Sequence, residues 1–192
     1  LVRSRGLGDV YKRQVLEGGA MRGMYTAGVL DVFLANECWA DGIISVSAGA
    51  LFGVNYPSRQ AGRAIRYNKK FMSDSRYVSL KNLLTTGELI NKDFAFYEVP
   101  FKYDVFDNET FKQSGIDFYV TLTNLHSAQA EYVKLTDPFA QMEVLRATSA
   151  MPYVSKPVMI NGTPYLDGAI TDSIPLAQMQ KMGYEKIIVI LT

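Results

Sequence analysis

Two side chains in this sequence could share acyl-transfer chemistry if the fold brought them together: a serine in a small-residue turn and an aspartate beside a glycine. The serine is Ser47, in Ser45-Val46-Ser47-Ala48-Gly49, entered from the apolar run Gly42-Ile43-Ile44 and left through Ala50-Leu51-Phe52-Gly53. An apolar run, a tight turn and a helix-like run form the layout of a nucleophile elbow, where a strained strand-to-helix turn holds a hydroxyl clear of its own backbone. The pattern is G-x-S-x-G with serine in the first position. Small residues at 45 and 49 matter because strand and helix backbones approach closely there. Ser45 offers a second hydroxyl, but only Ser47 has the elbow spacing to Gly49. The competing reading is a Ser/Ala/Gly-rich helix start.

A serine hydroxyl needs a base and a place for the developing oxyanion. Asp167, in Tyr165-Leu166-Asp167-Gly168-Ala169, follows an apolar approach into a small-residue turn. Burial would raise its pKa and make it a stronger base; otherwise it serves only its own turn, as Asp-Gly does routinely. For the oxyanion, Gly18-Gly19-Ala20-Met21-Arg22-Gly23 lies between a strand-like and a helix-like run. Free N–H groups there would attract a phosphate or a tetrahedral-intermediate oxygen. A dinucleotide fingerprint would want glycine at Ala20 and an acidic partner about 20 residues on. Asp41 stands near that distance but directly precedes the elbow strand. Ala147-Thr148-Ser149-Ala150-Met151-Pro152 reads only as a helix stop.

The single histidine, His126, sits in a predicted turn and precedes Asp167. That is the wrong order for an α/β-hydrolase triad, which runs Ser…Asp/Glu…His. His/Cys/carboxylate spacing for a metal is absent. The formal net charge is +1, which gives no electrostatic case for nucleic acid. No run of Lys and Arg reads as a membrane-surface patch. One cysteine, Cys38, cannot form an intrachain disulfide, so a reducing, cytoplasmic compartment is expected. No apolar run approaches the roughly 20 residues that span a bilayer.

The elements that would position these residues follow from periodicity. Strands are expected at Val15–Glu17, Trp39–Val46, Asp117–Thr123, Ala130–Leu135 and Lys186–Thr192, with a hairpin over Val158–Tyr165 around Asn161-Gly162. The Lys186–Thr192 strand reads as buried on both faces. Helices are expected at Met21–Ala35, Ala48–Tyr56, Ser58–Met72, Lys81–Ile90, Asp137–Ala147 and Ser173–Met182. The aromatic-rich stretch Asp93–Gly115 reads as irregular, with one helix near Asn108–Gln113, and as a candidate cover for a site. Strands alternate with helices, so the fold class is α/β. Residues 1–14, LVRSRGLGDVYKRQ, read as a non-native or disordered leader, and 15–192 as one domain. The abrupt apolar end at Thr192 suggests a chain that continues.

In order, G-G-x-x-R-G, S-x-G at an elbow, A-[ST]-x-A-x-P and D-G-A resemble the patatin-like phospholipases, from Val15 to Thr192. The resemblance implies a layered α/β/α domain with a mainly parallel central sheet. It implies a lipid acyl hydrolase with a Ser–Asp dyad and an acyl-enzyme intermediate: Ser47 the nucleophile, Asp167 the base, the loop of Gly18, Gly19, Ala20, Arg22 and Gly23 around the oxyanion, and no metal or cofactor. Ser45, Val46, Ala48 and Gly49 are then the elbow, and Gly168 and Ala169 complete the aspartate motif. The partner is a lipid or ester, with transient membrane-surface contact. Two departures bear on rate: Ala20 and Ser45 stand where the family usually has glycine. The alternatives are a phosphate- or nucleotide-binding module and a catalytically inactive family member.

Overall fold

The β-branched runs pair into one sheet. The computed structural model describes residues 13–183 and 186–192. β1 (Arg13–Leu16) is followed by a 3-10 turn (Ala20–Gly23), α1 (Met24–Ala35), β2 (Gly42–Val46) and α2 (Ala48–Gly53). Then come α3 (Arg63–Phe71), α4 (Leu80–Thr86), a π-helix (Asp93–Tyr103) and α5 (Asn108–Gln113). β3 (Asp117–Asn124), β4 (Gln129–Leu135), α6 (Met142–Thr148), β5 (Val158–Ile160), β6 (Thr163–Asp167), α7 (Leu176–Lys181) and β7 (Ile187–Ile190) complete the order. Among the described residues the sheet has seven strands, ordered β5-β6-β3-β2-β1-β7, with β4 also on β3. β7, β1, β2 and β3 run parallel; β4, β5 and β6 add antiparallel.

The alternation of side chains divides the core into two layers. Leu16, Ile43, Phe118, Val120 and Leu122 face α1, α2, α5 and α6, whereas Val15 and Ile44 face α7 through Met179. Fully burying each such apolar side chain contributes about 1.5–3 kcal/mol.

Several boundaries differ from the sequence reading. Arg13 and Gln14 belong to β1 rather than to a leader, and Gln14 is buried; residues 1–12 lie outside the described residues. β7 is an edge strand, half-buried except at Ile190, because only β1 flanks it among the described residues. Asp93–Tyr103 is helical, not irregular. Pro100 has no N–H to donate, and the Asp104 N–H reaches five residues back to the Val99 carbonyl, a π-type turn that hides the 3.6-residue period. The helix expected from Asp137 starts only at Met142, with Asp137 Oδ1 accepting from the Ala140 N–H in the turn before it. At the β5–β6 hairpin, Asn161 and Gly162 both take positive φ, as a type I′ turn requires.

The decisive feature for the site is the register on β3. β4 occupies one edge of β3 over Phe118–Asn124. The other edge is divided: Asp117–Thr121 pair with β2, and Leu122–Asn124 pair with β6. Val46 partners Thr121 and Asp167 partners Leu122, so the ends of β2 and β6 abut. Gly168 turns away against the β3 backbone, where a Cβ would lie 2.2 Å from the Thr121 carbonyl oxygen. Gly168→Ala is expected to destabilise the fold by about 3 kcal/mol or more, read as a lowered urea midpoint; an unchanged midpoint would contradict this register.

Candidate functional site

Ser47 follows the last residue of β2 and caps α2 with φ 53° and ψ −125°. A non-glycine residue held there stores about 1–3 kcal/mol of strain. Two contacts hold it. The Thr148 hydroxyl at the end of α6 accepts from the Ser47 N–H at 2.8 Å and donates to the Thr121 carbonyl at 2.8 Å. Gly49 lets α2 approach β1: a Cβ would stand 2.6 Å from the Leu16 and Glu17 carbonyl oxygens.

The Ser47 hydroxyl donates to Asp167 Oδ2 at 2.7 Å, across 120 residues of sequence. The other carboxyl oxygen, Oδ1, accepts from the Ala169 N–H at 2.9 Å. The Asp167 backbone is held as well. Its N–H donates to the Ala150 carbonyl, and its own carbonyl accepts from the Thr123 hydroxyl. Ser47 and Asp167 are 6% and 4% exposed. Burial pushes the Asp167 carboxyl above the usual carboxylate range; the hydrogen bonds from Ser47 and Ala169 oppose this without cancelling it.

Gly18 lies against the serine, with the position of its missing Cβ 2.9 Å from Ser47 Cβ. Among the described residues, the N–H groups of Gly18, Gly19, Ala20 and Ala48 have no acceptor. Ala20 has φ 48°, a left-handed conformation that costs an alanine about 1–2 kcal/mol. The Arg22 N–H instead closes the turn onto the Gly19 carbonyl, and Gly23 is buried against Ala48 and Phe52. Thr192, just after β7, ties this loop down: its hydroxyl donates to the Gly18 carbonyl and its N–H to Glu17 Oε2.

The rival residues are placed elsewhere. The Ser45 hydroxyl is spent on the Tyr119 carbonyl at 2.8 Å. Asp41 is ion-paired to Arg13 at the start of β1, at the opposite end of the strand from the Gly18 loop. His126 is exposed in the β3–β4 turn, with its N–H bonded to Asn124 Oδ1. Among the described residues no cluster of three or more His, Cys, Asp or Glu could hold a metal ion, and no helix is long and apolar enough to cross a membrane.

A sequence profile described as patatin-like phospholipase matches residues 15–179. The chain belongs to the patatin-like phospholipase family. It is 32% identical to the protein YjjU of Escherichia coli (strain K12) over 190 aligned positions, covering 93% of this chain and 51% of that protein. It is 26% identical to lysophospholipase nte1 of Emericella nidulans, over 92% of this chain and 11% of that protein. The chain thus spans about half the length of YjjU and about a tenth of the lysophospholipase. The crystal structure of VipD from Legionella pneumophila shares the fold, with a TM-score of 0.53 at 14% identity over 93% of this chain and 49% of that one.

Within this family member, the A-T-S-A motif is more than a helix stop. Thr148 holds Ser47, and Ala150 holds Asp167. Sequence spacing offered no sign of this, because both contacts cross the sheet edge. Thr148→Val is expected to leave the Ser47 N–H and Thr121 carbonyl buried without partners, costing about 1–3 kcal/mol, and to slow fluorophosphonate labelling of Ser47. Thr148→Ser keeps the hydroxyl and should restore both; equal labelling of all three proteins would remove the positioning role.

Proposed function

We propose that this domain hydrolyses carboxylic esters of lipids with Ser47 as nucleophile and Asp167 as general base. The observation that carries this reading is the 2.7 Å hydrogen bond from a strained elbow serine to a buried, pKa-raised aspartate. Family membership and the lysophospholipase relatives support the reaction class.

Ser47 Oγ attacks the acyl carbonyl carbon as its proton passes to Asp167 Oδ2. The carbonyl oxygen becomes the oxyanion, met by the N–H groups of Gly18, Gly19, Ala20 and Ala48. The intermediate collapses to an acyl-Ser47 ester, and the departing alkoxide takes the proton from Asp167. Water then attacks the acyl carbon, Asp167 accepts its proton, and the free acid leaves as that proton returns to Ser47. His126 has no part in these steps. The exposed thiol of Cys38 fits a reducing compartment.

An apolar cavity supplies a place for the acyl chain. It has a volume of about 90 Å³ and lies between Leu51 of α2, Val54 just beyond it, Met142 and Leu145 of α6, and Phe96 and Val99 of the π-helix, with Arg63 also on its wall. Leu51 is four residues past Ser47, about 6 Å along the helix. Leu145 is one turn before Thr148. The stretch read from sequence as a cover is thus one wall of this cavity. Its small size favours short acyl chains. Turnover of p-nitrophenyl butyrate is expected to exceed that of the dodecanoate. Met142→Ala should shift the ratio toward the dodecanoate by about tenfold, since a few extra methylenes in an apolar pocket are worth that much discrimination. A ratio unmoved by Met142→Ala would detach the cavity from the acyl chain.

The pH behaviour has a definite sign. The folded protein holds the Asp167 proton more tightly than the unfolded chain does. Its contribution therefore favours the fold below the ordinary carboxylate pKa and is lost as pH rises through the raised value. Turnover runs the opposite way, because the base must be ionised. Asp167→Asn should lower turnover at least ~100-fold while its urea midpoint at neutral pH equals or exceeds that of the parent. Ser47→Ala should abolish turnover, and His126→Ala should leave it within about twofold. A loss in His126→Ala as deep as in Ser47→Ala would overturn the mechanism.

A further inference from the structure

α4 is the one described helix longer than six residues with no buried residue at all. Leu80 and Leu84, one turn apart on the same face, are 73% and 87% exposed. A pair of leucines held in water this fully is unusual on a helix whose other face is engaged. On that other face Asn82 Nδ2 donates to the Glu88 carbonyl, and just beyond the helix the Leu89 N–H donates to the Val154 carbonyl. The second tie brings in the loop that carries Tyr153, which is 99% exposed. The apolar face is therefore presented on a fixed platform.

The charge around it is one-sided. Residues 69–92 carry Lys69, Lys70, Arg76, Lys81 and Lys92 against Asp74 and Glu88, a difference of 5 − 2 = +3 in a chain of net charge +1. The remainder of the chain is accordingly net negative. Both acids are engaged, Asp74 with Arg76 and Glu88 with Arg146. Lys69, Lys70, Lys81 and Lys156 form no ion pair among the described residues. Lys81 adjoins Leu84 at i,i+3 spacing, and Lys156 Cε lies 3.3 Å from the Cβ position of Gly87, at the end of α4. Lys81 and Lys156 stand far apart in sequence, so no charge run announces them; the fold brings both to α4.

We propose that the Leu80/Leu84 face of α4, rimmed by Lys81 and Lys156, docks on an anionic lipid surface. Exposed apolar side chains ringed by lysine suit the boundary between headgroups and acyl chains, where the leucines leave water and the ammonium groups stay among phosphates. The face also neighbours the acyl cavity. Tyr77 and Ile90, which flank α4 on either side, line that cavity, and an isolated bridge joins Val78 to Ile90. Docking here would bring the cavity wall to the membrane. This consequence rests on the acyl-hydrolase reading of the Ser47 site; the docking itself does not.

The test is co-sedimentation of the full chain with phosphatidylcholine vesicles and with vesicles containing phosphatidylglycerol, run beside turnover of soluble p-nitrophenyl butyrate. The expected result is retention by the phosphatidylglycerol vesicles that falls about tenfold in Leu80→Asp/Leu84→Asp and in Lys81→Glu/Lys156→Glu. Butyrate turnover should stay within about twofold in both, which shows that the variants fold. Ser47→Ala should bind vesicles as the parent does. Retention unchanged in the leucine variant overturns the proposal. So does a parent that ignores both vesicles, including one that sediments as an oligomer which the leucine variant dissolves, for the face would then be a contact between protein chains. A parent that binds vesicles yet turns over no ester sinks the hydrolase reading and leaves the docking surface standing.

Discussion

The site depends on two strands sharing one edge of β3. β4 closes the far edge, so β2 and β6 must fit end to end on the near one, and they meet between Thr121 and Leu122. β2 arrives parallel and β6 antiparallel, so each points its final residue at the junction. Ser47 and Asp167 are delivered to that point by backbone hydrogen bonds rather than by flexible loops. A one-residue slip of β6 would send the aspartate to the other face of the sheet. Gly168 helps prevent that slip, since no side chain fits against the Thr121 carbonyl.

The junction is also where the sheet would otherwise leave polar groups unpaired. The Ser47 N–H lies beyond the end of β2, and the Thr121 carbonyl faces the gap between strands. Thr148 bonds both with one hydroxyl. The same short segment, through the Ala150 carbonyl, takes the Asp167 N–H. α6 thus fastens both halves of the pair while its own apolar face fills the core. Burial does the rest: it raises the carboxyl above its ordinary range, and in a setting of low dielectric the same burial strengthens the bond to Ser47.

On the other side of α2 the structure loosens into helices that bury little. The π-helix walls a mainly apolar space together with α2 and α6, while α4 and the Tyr153 loop present leucine, tyrosine and lysine to solvent. The organisation grades from a sheet junction that holds the Ser47–Asp167 pair to outer helices whose exposed face is apolar and cationic. Such a gradient suits the proposed hydrolysis of a substrate that is itself part of a surface.

Local sequence determined the chemistry-bearing turns. Ser45–Gly49 reads as an elbow because apolar strand, small turn and small helix follow in order, and Gly18–Gly23 reads as an anion-seeking loop for similar reasons. Asn161-Gly162 set its hairpin turn, and the order of the motifs announced the family. Less legible were features carried by contacts across elements. Arg13 and Gln14 look like a polar leader until β2 and β7 pair with them. Thr148 looks like a helix stop until Ser47 bonds to it. The π-helix hid because its wider turn, around a proline, breaks the period by which helices are read. What tertiary structure alone decided is that Ser47 and Asp167, 120 residues apart, lie within one hydrogen bond of each other. Ser45 and Asp41 are as polar as Ser47 and Asp167; β2–β3 pairing commits Ser45 to the Tyr119 carbonyl, β1–β2 pairing sets Asp41 beside Arg13, and the shared edge of β3 brings Ser47 and Asp167 to each other.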